Sequence, residues 1–219
     1  NTTEAKNQIE ERTRALGVPK LALDRIRTIE IPLPPLNIQK KIVKEIEAVE
    51  RQAEKDRQET EKLQTGLNGL VESFDKTKRI NEVCTLSDNK AEPGRRPDDD
   101  FAYIGLEHIE SNSGTLLEKV TVKGATLKSS KNSFTKGNLL YGKLRPYLNK
   151  VYLAEFDGVC STDILVLKPN NGIILKHILL NKTLVEKASS LMKGTSLPRI
   201  GVKDFMNLTL NYPDGNSQA

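Results

Sequence analysis

The sequence predicts an α+β protein, a long coiled-coil-type helix joined to a mixed α/β globular domain. Three observations predict it. Between Ile42 and Phe74, residues recur at 4,3 spacing without interruption, and most of them are apolar. Beyond residue 77, short apolar runs alternate with clusters of Gly, Pro, Asn and Asp. Composition changes at the same place. Residues 1–77 carry 14 Lys/Arg and 14 Asp/Glu, whereas residues 78–219 carry 20 and 15, so the whole net charge of +5 lies there. All ten Phe and Tyr residues lie at Phe74 or later.

The N-terminal region repeats at the other end, 179 residues on. Pro19-Lys20-Leu21 aligns with Pro198-Arg199-Ile200, Leu23 with Val202, Ile26 with Phe205, Ile29 with Leu208, Ile31 with Leu210, Pro34 with Pro213 and Gln39 with Gln218. Looser similarity reaches Asn1 and Thr3 against Asn181 and Thr183. A period this long is a whole domain plus a connector. It points to a tandem duplication and a pseudo-symmetric molecule with two similar sites. The chain begins in mid-pattern and reads as a piece of a longer one.

Residues 1–16 are polar and suit a helix, which Gly17-Val18-Pro19 would stop. Residues 20–33 suggest a short turn or helix and then a short strand, closed by Pro32-Leu33-Pro34-Pro35. Asn37 is the expected N-cap of the long helix. The seam follows as Ile42, Ile46, Val49, Ala53, Asp56, Thr60, Leu63, Leu67, Leu70 and Phe74. About 40 helical residues span roughly 60 Å. A helix of that length with one apolar stripe needs a partner helix, or its own domain, to cover the stripe.

In the second region the strand candidates are 101–106, 119–123, 138–142, 150–155 and 162–167, with a helix over 175–192. The run Ile164-Leu165-Val166-Leu167 suits a strand buried on both faces. Cys84 and Cys160 are the only cysteines and read as small core residues of a reducing compartment. No apolar stretch is long enough to span a membrane. From Lys119 to Ala154 there are eight Lys/Arg, no Asp or Glu, and four aromatics: Phe134, Tyr141, Tyr147 and Tyr152. Such a pattern suits a polyanion partner and equally suits a solvated Lys-rich face.

Motifs for catalysis are absent. There is no Gly-rich phosphate loop and no Asn-Pro-Pro-aromatic motif of an amino-methyltransferase. Asp98-Asp99-Asp100 lacks a Glu-x-Lys partner and reads as loop. His108 and His177 lack ligand spacing. No catalytic residue, metal site or cofactor is expected.

Five segments, in order, resemble a known family. Tyr103-Ile104-Gly105-Leu106-Glu107-His108-Ile109 resembles the opening of a target recognition domain of type I restriction-modification specificity subunits. The stretch Gly137 to Lys150, with Lys143-Leu144-Arg145-Pro146-Tyr147 at its centre, resembles that family's most recognisable segment. Cys160-Ser161-Thr162-Asp163-Ile164 and Gly194 to Ile200 follow in place, and Ile31 to Gln39 resembles the family's spacer. The resemblance implies the tail of one recognition domain over 1–36, a conserved spacer helix over 37–77, a second recognition domain over 78–213, and the start of another spacer over 214–219. It implies two such helices paired antiparallel, each domain reading half of a split DNA site. With only one helix in this sequence, the partner would come from a second copy or from the other half of a full-length subunit. The dimer residues would be Ile42, Ile46, Val49, Leu63, Leu67, Leu70 and Phe74.

On this reading the partners are duplex DNA, a methyltransferase subunit and, indirectly, a restriction subunit, in the cytoplasm and with no membrane. Lys143, Arg145, Tyr147 and Lys150 would contact phosphate or pack, with Pro146 stiffening their loop. Arg145, whose fork suits phosphate or guanine, is the first choice. Base reading would fall on Arg95 and Arg96 in the loop Asn89 to Asp98, and on Lys128 and Lys131 in the segment Lys128 to Asn132. Ser161 and Thr162 would hydrogen-bond the loop or the DNA backbone. The rival expectation is a coiled-coil adaptor whose basic domain binds another polyanion or a protein.

Overall fold

A computed structural model describes residues 3–13, 21–31 and 33–213, which fall into two compact units, 1–60 and 61–219. The first unit holds α1 (Thr3–Arg12), α2 (Leu23–Ile26) and the beginning of α3 (Leu36–Glu72). α1 and the segment around α2 are tied by side chains. Arg12 Nε donates to Thr28 Oγ1 at 3.2 Å, and Arg25 Nη1 donates to the Arg12 carbonyl at 2.8 Å. The strand expected near residue 30 does not form among the described residues. A strand needs a neighbouring backbone. Here the Gln8 side chain stands in for one, bonding both the amide and the carbonyl of Glu30 at 2.9 Å. The expected stop at Gly17-Val18-Pro19 and the spacer start over 214–219 lie outside the described residues.

α3 opens at Leu36, so Asn37 sits in its first turn and is not the cap. The amides of Ile38 and Gln39 donate to the Pro35 carbonyl at 2.9 and 3.0 Å, and a proline here is pre-set for helix entry. Exposed pairs such as Lys41–Glu45 and Arg57–Glu54 line the polar sides; each is worth only a few tenths of a kcal/mol. The helix ends at Glu72, short of the expected 77, because the chain is drawn into a strand at once. The Ser73 hydroxyl donates to the Leu70 carbonyl at 2.7 Å, and Lys76 already pairs with Tyr212. Phe74 therefore leaves the seam and packs against the core of the globular unit.

The second unit continues with β1 (Lys76–Arg79), α4 (Ile80–Val83), β2 (Cys84–Leu86), β3 (Lys90–Ala91), β4 (Asp100–Ile104), β5 (Val120–Lys123) and β6 (Lys131–Phe134). Then come β7 (Leu139–Gly142), β8 (Val151–Leu153), β9 (Gly158–Cys160), β10 (Ile164–Pro169), α5 (Gly172–Leu180) and α6 (Lys182–Ser190). It closes with β11 (Met192–Lys193), β12 (Arg199–Ile200), α7 (Val202–Met206) and β13 (Thr209–Tyr212). The single helix expected over 175–192 is two. Asn181 breaks it, and its Oδ1 accepts from the Thr183 amide at 2.9 Å to cap α6.

Two sheets organise the unit. One is antiparallel, in the order β2-β10-β7-β8; the other runs β3-β6-β9-β4-β5, with β4 and β9 parallel. The first sheet is buried on both faces, which explains the apolar run in β10. Ile164 and Val166 face a core shared with Ile104, Phe134 and Cys160 of the second sheet. Leu165 and Leu167, alternating with them, face Leu175, Ile178, Leu184 and Phe205 of the helices, together with Val71. Cys84 and Cys160 are buried and unpaired, and burial pushes both thiols up to about 12.

The internal repeat has a structural counterpart. α1 begins 179 residues before α6, and α2 begins 179 residues before α7. Their surroundings differ. Phe205 is 1% exposed and stacks on Tyr141 at 4.2 Å, whereas its counterpart Ile26 is 46% exposed.

Candidate nucleic-acid interface

The stretch from Gly142 to Lys150 links β7 to β8 by a tight excursion. Gly142 lets its neighbours approach closely: a Cβ there would lie 2.8 Å from Leu106 Cδ2 and 3.3 Å from Lys150 Cβ, so the Leu106 side chain would have to shift. Arg145 (φ 49°) and Asn149 (φ 43°) both adopt the left-handed conformation and bracket a single turn of 3₁₀ helix, Pro146–Leu148. A left-handed residue directly before proline is unfavourable and persists only where its surroundings hold it. Here the Arg145 amide donates to the Pro198 carbonyl at 2.8 Å, and the Leu148 amide donates to the Arg145 carbonyl at 2.8 Å. The result is an exposed Arg145 and an exposed Tyr147 on a fixed backbone.

Three of the sequence segments singled out above meet at this point. The Lys143 amide donates to the Asp163 carbonyl at 2.9 Å, and the Ile200 amide donates to the Lys143 carbonyl at 3.0 Å. The Asp163 carboxylate takes Arg199 by two bonds, Nε at 2.8 Å and Nη2 at 3.0 Å. The Arg199 guanidinium, followed by the charge of Lys143, holds the Asp163 carboxyl below its usual range. Thr162 is exposed beside them, while the Ser161 hydroxyl accepts from the Asp163 amide at 3.2 Å and shapes that turn.

The remaining candidates divide. Lys150 is half-buried, and its ammonium donates to the carbonyls of Leu106 and Ile109 at 2.7 and 2.6 Å. It staples the 106–109 turn to β8. Changing Lys150 to Met should therefore lower folding stability by about 1–3 kcal/mol, since the Ile109 carbonyl loses its ammonium and the Leu106 carbonyl keeps only the Ile109 amide at 3.3 Å. A urea titration would measure it, and the salt dependence of DNA binding should stay unchanged. Lys131 is buried and folds back on Ser129, with Nζ 2.6 Å from the hydroxyl. Because Asn132 pairs with Cys160, Lys131 and Ser161 leave the sheet at the same end. Arg95, Arg96 and Lys128 are exposed on two neighbouring turns, joined where the Gly124 amide meets the Asp99 carbonyl at 2.9 Å. Arg96 also pairs with Asp99 at 3.4 Å and covers the Phe101 ring.

The structure thus brings Lys143, Arg145, Tyr147, Ser161 and Thr162 together, and groups Arg95, Arg96 and Lys128 at a second place. The sequence reading missed the Asp163–Arg199 pair. Both residues lie in segments that carry the family resemblance, but 36 positions separate them and nothing local signals their meeting. His108 is also accounted for. Its Nδ1 accepts from the Gly105 amide at 3.0 Å, and its ring meets Tyr103 edge-on. Among the described residues no helix is long and apolar enough to cross a membrane, and no group of three or more His, Cys, Asp or Glu is placed to hold a metal ion.

The family model for the type I restriction modification DNA specificity domain matches residues 2–65 and 75–219. The chain belongs to this family. A curated relative, the specificity subunit of the type I restriction enzyme EcoDI from Escherichia coli, is 32% identical over 139 residues, covering 62% of this chain and 30% of that subunit. Two solved chains have a similar fold. One comes from work on complex assembly and conformational transition of the type I R-M system, with a TM-score of 0.58 at 23% identity over 65% of this chain and 39% of that one. The other is the HsdS subunit from Thermoanaerobacter tengcongensis, with a TM-score of 0.55 at 23% identity over 63% of this chain and 37% of that one. The chain therefore spans well under half the length of these relatives.

Proposed function

We propose that this chain is the DNA-reading part of a type I restriction-modification specificity subunit, with the 78–213 domain binding one half of a bipartite duplex site. The observation that carries the reading is the strained, fully pinned loop that presents Arg145 and Tyr147 beside Lys143 and Thr162. Strain of this kind is retained where geometry matters. Arg145, Lys143 and Thr162 suit phosphate and base-edge contacts, and Tyr147 offers a stiff, amphipathic surface. Lys150 and Lys131 act from behind, on the protein's own backbone. Arg95, Arg96 and Lys128 form the less family-like basic turn, where reading of particular bases belongs.

Residues 1–36 are the tail of a preceding recognition domain, and α3 is the spacer. Its 37 residues span about 55 Å, ample to hold two recognition domains about one DNA turn apart. Its seam pairs with an equivalent helix, from a second copy or from the other half of a longer subunit. The methyltransferase subunit docks on the helix or on the proline-rich junction before it, and the restriction subunit joins through that complex in the cytoplasm. The chain itself does no chemistry.

The test is binding to labelled mixed-sequence duplex over a salt series. The expected result is a steep fall of affinity with salt. Arg145→Ala should weaken binding by about tenfold and reduce the salt slope by about one. Equal affinity for duplex DNA and an unrelated polyanion such as heparin would favour the adaptor reading instead.

A further inference from the structure

We infer that Asp163 and Arg199 form a latch that sets the DNA-facing conformation of Arg145, so that a carboxylate assists the binding of a polyanion. The inference rests on the DNA-binding reading above and names positioning residues for it. Three observations support it. The pair is bidentate, at 2.8 and 3.0 Å, which fixes the direction of both side chains as well as their distance. The two partners anchor the strap that carries Arg145 from both sides. Asp163 offers its carbonyl to the Lys143 amide, and the residues flanking Arg199 bond Arg145 and Lys143 at 2.8 and 3.0 Å. Finally, the strap has no regular ladder of its own here. Leu144 makes only an isolated bridge to Arg199, and Arg145 is held in a conformation that proline after it opposes. Without the latch, the 194–199 loop loses its tie to the 161–163 turn, and the left-handed Arg145 loses the acceptor that over-determines it.

The guanidinium of Arg199 is engaged on three sides, with Nη1 donating to the Leu197 carbonyl at 3.1 Å. It is therefore poorly placed to serve as a DNA contact itself. The first copy of the repeat carries Lys20 at the equivalent position, and an ammonium cannot reproduce the two-point fork.

Simple electrostatics predicts the opposite outcome for Asp163. A carboxylate near a DNA-binding arginine repels phosphate, so Asp163→Asn should tighten binding if charge alone mattered. The latch predicts weakening. The decisive experiment is a double-mutant cycle on the whole chain, with Asp163→Asn, Arg145→Ala and both together, titrated against mixed-sequence duplex at several salt concentrations. The expected result is that Asp163→Asn weakens binding by about tenfold, as Arg145→Ala does. In the Arg145→Ala background it should add nothing. Hydrogen exchange in the absence of DNA should rise at the amides of Arg145 and Leu148 in Asp163→Asn. Arg199→Lys should give an intermediate loss. Binding by Asp163→Asn at or above the unaltered level overturns the latch, and so does a loss that adds in full to Arg145→Ala. Absence of salt-sensitive duplex binding by the unaltered chain would instead sink the DNA reading, and the latch with it.

Discussion

Changing Ile46 and Val49 together to Asp should convert a particle of about twice 24.4 kDa into one of 24.4 kDa, read by light scattering. Both residues lie on the seam of α3, and they are 50% and 69% exposed. Ile42, Val43 and Leu63 are exposed along the same helix, whereas the seam residues Leu67 and Phe74 are partly covered within the globular unit. Burying side chains of this size against a partner gives about 1.5–3 kcal/mol each, counted twice in a symmetric pair. Carboxylates at the centre of such an interface lose that gain and add the cost of desolvating charge. The single chain should not notice the change, because exposed helix positions tolerate polar residues. Helical content and the melting of the globular unit should therefore hold. Leu67 would be a poorer probe. It lines a small pocket with His177, Leu180 and Val185 in its own unit, so its loss would mix two effects. A monomer before mutation would rule out a second copy of this chain as the seam's partner and leave the spacing role to the other half of a longer subunit.

How far the sequence revealed this molecule depended on the range of the interactions. The helix was legible because its period is local and long. Its end was not, because a 4,3 pattern cannot show that Lys76 will be captured by Tyr212, far along the chain. The packed face of the last turns is also set from outside. Val71 is buried and Asn68 meets Asn181 at 3.3 Å, while the seam residue Leu70 stays exposed. β10 was legible through its unbroken apolar run. β6 was not, since Lys131-Asn132-Ser133-Phe134 has no alternation, and its polar members are satisfied by Ser129 and by the Ile164 carbonyl. At the candidate interface the residue types and the stiffening Pro146 were readable in advance. The division of labour was not. Only three-dimensional contacts distinguish the exposed Arg145 from Lys150, which serves the protein's own carbonyls.

The same limit applies to the repeat, and it leads to the second large effect. Phe205→Ala should destabilise the globular unit by about 3–5 kcal/mol, a substantial share of the 5–15 kcal/mol typical of a domain. Phe205 is buried, stacks on Tyr141 at 4.2 Å, and joins α7 to the sheet face formed by β7 and β10. Its counterpart is Ile26, on the equivalent short helix and nearly half exposed. In the chain alone, Ile26→Ala should change stability by no more than about 0.5 kcal/mol. Urea unfolding of the two variants, followed by tyrosine fluorescence for the globular unit and by circular dichroism for the whole chain, separates them. The contrast has a functional meaning. On the proposed reading Ile26 belongs to a recognition domain of its own, where it would be as deeply packed as Phe205. If Ile26→Ala costs several kcal/mol in solution, residues 3–31 are covered by another chain or another part of the protein. If it is silent while Phe205→Ala is severe, only the second copy of the repeat has its core in this chain.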